Sequence, residues 1–175
     1  YHDLYDVTLD ENGKKVIKEK ELLLPKGKKP FIMSQDDVAC YQKTRIAIGG
    51  YCSKYVIDAD GKVKTVYEKE DGTKQIGDYD LLPALETFVE KHPDFSYKGA
   101  RAYIGLTGFD GALGYRVNHD NKDKPEFASE QEELKKIAQV AKAEGFLFAS
   151  HSYAHGNQES QSVAALKEDC QKWQD

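Results

Sequence analysis

Residues 146–155 read Phe146-Leu147-Phe148-Ala149-Ser150-His151-Ser152-Tyr153-Ala154-His155. A continuous apolar run, without the alternation of a half-solvated strand, is the pattern of a strand covered on both faces, as in a parallel sheet. The run breaks into a polar segment that carries His151 and His155. Just upstream, Leu134, Ile137, Ala138 and Ala141 recur at helical spacing; Ser129 with Glu132 matches a capping box that opens this helix, and Gly145 stops it. Just downstream, Val163, Leu166, Cys170 and Trp173 again fall at helical intervals. Helix, strand, polar loop and helix in succession are the repeating unit of a parallel α/β sheet.

The neighbouring segments extend that pattern. Arg101 to Leu106 predicts a further strand, followed by a glycine-rich loop through Thr107, Gly108, Gly111 and Gly114. Leu81, Leu82, Leu85, Phe88 and Val89 predict a helix that begins at Asp80, tolerates Pro83 in its first turn and ends at His92-Pro93. Between residues 54 and 69, β-branched and aromatic side chains flank Asp60-Gly61, which predicts a hairpin, and Asp71-Gly72 marks another turn. Pro30-Phe31-Ile32-Met33-Ser34 predicts a short buried strand running into Asp36-Asp37. Before it, Asn12-Gly13 between short mixed runs predicts a hairpin or arm, and Lys26-Gly27-Lys28-Lys29-Pro30 a solvated loop. The chain thus divides into an N-terminal arm, residues 1–29, and an α/β domain, residues 30–175, with a β-hairpin insertion.

The 175 residues suit roughly one domain with a core of its own. With 25 Lys and Arg against 30 Asp and Glu, the net charge is −5, which argues against nucleic acid or an anionic membrane surface as the main partner. No apolar stretch approaches the roughly 18 residues of a membrane span. Cys40, Cys52 and Cys170 are an odd number without C-x-x-C spacing, so neither a disulfide framework nor a cysteine zinc site is expected.

In parallel α/β folds chemistry collects beyond the C-terminal ends of the strands, and both polar clusters lie there. Neutral imidazoles are good zinc or cobalt ligands, and a carboxylate is a common third. One helical turn would set His151 and His155 on one side. A lone H-x-x-x-H is weak evidence; Asp36-Asp37 at the end of another predicted strand strengthens it. Adjacent carboxylates beside a buried strand call for a cation or hydrogen-bond donors, although a turn or helix cap also accounts for such a pair. No D-x-D-x-D-G calcium loop follows them. Arg116 can bind an anionic group, orient a carboxylate or staple a loop. His92 and His119 are proton donors only if the fold brings them to the cluster, and otherwise loop histidines. Tyr153 either lines the site or packs, and Cys40 reads as a small buried filler.

Ser34-Gln35-Asp36-Asp37 after a strand, with His151-Ser152-Tyr153-Ala154-His155 after another, resembles the first two motifs of the polysaccharide deacetylases of carbohydrate esterase family 4. The family's second motif, His-(Ser/Thr)-x-x-His, is matched in full. Its first, Thr-Phe-Asp-Asp, is matched at both aspartates, with Ser34-Gln35 in place of Thr-Phe. Asp80-Leu81-Leu82-Pro83, His92-Pro93-Asp94-Phe95-Ser96, Thr107-Gly108-Phe109 and Leu113-Gly114-Tyr115-Arg116 also resemble a bacterial subgroup of such proteins. The likeness runs from Pro30 to about Asn157.

The resemblance implies a distorted (β/α) barrel, usually of seven strands, of which this chain is expected to be the N-terminal portion, a partial barrel. It implies Asp36 as catalytic base and Asp37, His151 and His155 as ligands of a divalent metal, zinc by default, with cobalt or nickel suited to the same donors. The activity implied is hydrolysis, removal of N- or O-acetyl groups from a polysaccharide such as that of a bacterial cell wall, by an exported or surface-attached protein. The family's later motifs, with an arginine and a general-acid histidine, have no counterpart here; no histidine follows His155. A non-catalytic carbohydrate-binding or structural module that keeps the metal site is the alternative. Two further expectations are that the arm contributes no site residue, and that apolar surface along residues 146–149 and the Val163, Leu166, Trp173 stripe favours self-association.

Overall fold

The computed structural model describes residues 3–39 and 49–175. It divides the chain into two compact units, Tyr1–Met33 and Ser34–Asp175. The first unit holds an antiparallel hairpin, β1 (Tyr5–Leu9) with β2 (Lys15–Glu19). Asp10 shapes its turn: one carboxylate oxygen accepts from the amides of Asn12 and Lys14, at 2.9 Å each, which leaves Gly13 to supply the positive φ.

Among the described residues the second unit carries two sheets and three α-helices. One sheet is parallel, in the order β3 (Ser34–Asp36), β7 (Tyr103–Leu106), β8 (Leu147–Ser150). The other is an antiparallel meander of β4 (Gly50–Ile57), β5 (Val63–Lys69) and β6 (Lys74–Gly77), inserted between β3 and helix α1 (Leu81–Lys91). Helix α2 (Phe127–Glu144) leads into β8, and α3 (Val163–Gln174) follows it. The predicted hairpin about Asp60-Gly61 is β4–β5, and the turn at Asp71-Gly72 adds β6. Three parallel strands form an open sheet, and no closed barrel is present among the described residues.

Apolar spacing explains the helices. The inward face of α1 buries Leu82, Leu85 and Val89 against the meander, and that of α2 buries Ile137 and Ala141. Each Leu or Ile so buried stabilises the fold by about 1.5–3 kcal/mol. Asp80 caps α1, and Gly145 ends α2 at φ 108°, a backbone form that L side chains resist. Ile104 on the central strand and Phe146 at the entrance to β8 are fully buried.

Several boundaries differ from expectation. The strand predicted at Pro30–Ser34 is instead Ser34–Asp36, because its partner β7 offers ladder positions only to those residues; Phe31 and Ile32 are exposed. The capping box at Ser129 does not form. Helix α2 opens three residues earlier, with Glu126 at its N-cap; the Ser129 hydroxyl donates to the Glu126 carbonyl at 2.7 Å, and Glu132 pairs with Lys135. Leu147 on the edge strand β8 is exposed, so the apolar run is not covered on both faces throughout. No disulfide joins Cys52 and Cys170, and Cys40 lies outside the described residues. Among the described residues, no helix is long and apolar enough to cross a membrane.

Candidate metal centre

The central strand β7 sets the site. Its Gly105 carbonyl accepts from the Asp37 amide at 3.1 Å, and the next carbonyl, Leu106, accepts from the His151 amide at 3.0 Å. The ends of β3 and β8 are thereby brought level on either side of one strand, and the two polar clusters meet across it.

Asp37, His151 and His155 bring one ligand atom each within 4.8 Å of one another. His155 Nε2 lies 3.2 Å from Asp37 Oδ2, close to the edge of about 3.3 Å in a tetrahedron with zinc–ligand bonds of 2.0–2.1 Å. The two imidazole rings are 4.8 Å apart between centroids and inclined at 68°. Side-chain exposures of 28% for Asp37, 36% for His151 and 45% for His155 leave the cluster open on one side. Donor chemistry, spacing and access fit a divalent cation. Asp36 stands outside this trio, with Oδ2 3.8 Å from His151 Nε2 and its side chain 54% exposed. Its carboxylate has room because residue 105 is glycine: a Cβ there would run into Asp36 Oδ1.

The histidines are not on a helical turn. Residues 151–155 form an irregular loop in which Ser152 and His155 have positive φ, 68° and 52°, and the Ser152 hydroxyl accepts from the His155 amide at 3.0 Å. Asp37 and Ala39 also have positive φ, 54° and 59°. Such conformations cost an L residue on the order of 1 kcal/mol, and they gather where surroundings enforce them. Thr107, the first residue after β7, donates its hydroxyl to Asp37 Oδ1 at 2.5 Å, which turns Oδ2 toward His155. Residue spacing did not single Thr107 out; its place at the end of the strand between the two motif strands was the available signal.

The remaining candidates lie elsewhere. Arg116 pairs with Asp110 at 2.7 Å and so staples the glycine-rich loop. His92 packs its ring on Phe88, 4.6 Å between centroids, and His119 Nδ1 lies 3.5 Å from Asp175. Tyr153 is buried; its hydroxyl donates to Asp120 at 3.1 Å, and burial raises its phenol above the usual range. Compared with family models, curated proteins and solved structures, the chain matches none.

Proposed function

We propose that this chain carries a metal-dependent hydrolytic site that removes acetyl groups from a polysaccharide, with Asp37, His151 and His155 as metal ligands and Asp36 as base. The observation that carries the reading is the convergence of Asp36-Asp37 and His151/His155 across β7, with one carboxylate inside the ligand trio and one beside it. A divalent ion held there, zinc by default and cobalt or nickel by the same donor set, supplies Lewis-acid polarisation of a carbonyl and a nucleophilic water at neutral pH. Asp36, exposed and outside the trio, accepts the proton of the attacking water. Asp37, fixed by Thr107, balances charge and holds the ligand geometry. Partial barrel, acetylated polysaccharide and export from the cell all rest on the motif resemblance.

A second reading has its own support. Among the described residues no further histidine or arginine joins the cluster, since Arg116, His92 and His119 are engaged elsewhere. A carbohydrate-binding or structural module would keep the metal without a general acid. Hydrolysis of an aryl acetate and of an acetylated chito-oligosaccharide by the zinc-loaded protein separates the readings. The enzyme reading expects metal-dependent turnover that Asp36→Asn reduces by about a hundredfold or more while the metal stays bound. Stoichiometric zinc without turnover, identical in parent and Asp36→Asn, would support the module instead.

A further inference from the structure

Two carboxylates that bind nothing in the cluster hold its two loops. Asp80, the N-cap of α1, accepts from the Leu81 amide at 2.7 Å and the Gln35 side-chain amide at 3.3 Å through Oδ1, and from the Ala39 amide at 3.0 Å through Oδ2. Gln35 precedes the Asp36-Asp37 pair and Ala39 follows it, so one side chain brackets the acidic motif on both sides. Asp169, on α3, accepts from the Tyr153 amide through Oδ1 and from the Ala154 amide through Oδ2, at 2.8 Å each. Those amides lie between His151 and His155.

Each clamp acts where the backbone is held in an unfavourable form. Asp37 and Ala39 stand at positive φ beside the Asp80 contacts, and Ser152 and His155 on either side of the Asp169 contacts. Ordinary side chains leave that region when nothing holds them there. A carboxylate that accepts two loop amides opposes that relaxation with charge-assisted hydrogen bonds. Neither Asp80 nor Asp169 belongs to the ligand trio.

We infer that Asp80 and Asp169 are positioning residues of the metal centre, each fixing one ligand-bearing loop so that the donors meet an ion already arranged. This rests on the metal-site reading above. Helix α1 thereby sets the position of the acidic motif, and helix α3 that of the histidine motif.

Cobalt titration of the full chain, followed by visible absorption, tests the inference. Asp80→Asn keeps a residue that caps helices as well as Asp and loses the second acceptor oxygen. Asp169→Asn likewise presents an amide NH2 to one of its two backbone donors. Each should weaken cobalt binding about ten- to a hundredfold and alter the absorption bands of the bound ion, as loss of outer-shell support does elsewhere. Glu86→Gln, which breaks an ion pair with Arg101 that makes no contact with the Asp80 or Asp169 carboxylate, serves as the general destabilisation control and should bind cobalt like the parent. Parent-like affinity and spectrum in both Asn variants would overturn the inference while the metal site stands. An equal loss in Glu86→Gln would overturn it as well, because the effect would then be one of global stability. Failure of the parent itself to bind cobalt would remove the metal-site reading, and the inference with it.

Discussion

Position 105 lies under the Asp36 carboxylate, where a methyl group has no room. Gly105→Ala should therefore displace Asp36 and leave the trio of Asp37, His151 and His155 assembled, since those residues are held by Thr107 and by the loops. The expected outcome is zinc content equal to the parent with acetyl-ester hydrolysis reduced tenfold or more, on the order of the loss when a proton acceptor is misplaced; unchanged hydrolysis would show that Asp36 is not the base. That Asp36-Asp37 and His151/His155 stand out was legible in the sequence, because each pair lies at or just past the end of a strand. Their supports were not. Thr107 looks like any loop threonine, and Asp80 and Asp169 look like a helix cap and a half-exposed helix position. Only the fold brings their oxygens to amides and carboxylates far away in sequence.

Helix α2 poses a different question at its C-terminal end. Glu144 Oε2 is buried with no hydrogen-bond partner, near the Glu86–Arg101 ion pair, in which Arg101 Nε lies 2.7 Å from Glu86 Oε2. Burial, then the charge of Glu86, pushes the Glu144 carboxyl up to about 7, against opposing pulls from Arg101 and Lys62. The folded chain thus binds this proton more tightly than the unfolded chain does, so Glu144 contributes stability below the ordinary glutamate range that is lost as pH rises toward 7. Glu144 is partly solvated, so the loss is on the order of 1 kcal/mol after screening. Urea midpoints of the parent and Glu144→Gln near pH 5 and pH 8 measure it: the variant should gain relative to the parent at the higher pH, and equal differences at both would contradict the account. Element type was legible wherever periodicity ran long, as in α1, α2 and α3, and wherever Asp-Gly or Asn-Gly marked a turn. Ends were less so. Ser129 failed as a cap because the Glu126 carbonyl takes its hydroxyl, and β3 was displaced because pairing with β7, not the apolar run at Phe31 and Ile32, decides where it forms.

At the scale of the whole chain, one parallel sheet does the assembling. Its order, β3-β7-β8, places strands distant in sequence on either side of β7 and brings residue 37 to residues 151 and 155. The α/β alternation and the hairpin insertion were readable from patterning; the placing of β3 and β8 on the two sides of β7 was not, because strand order is a property of packing and not of spacing. The central claim is that this sheet builds a metal centre. Elemental analysis after zinc loading and removal of free ion tests it most directly, on the parent and on His155→Ala. The account predicts about one zinc per chain in the parent and a small fraction of that in His155→Ala, because two remaining protein ligands are too few to hold the ion. Equal zinc in the two proteins would contradict it.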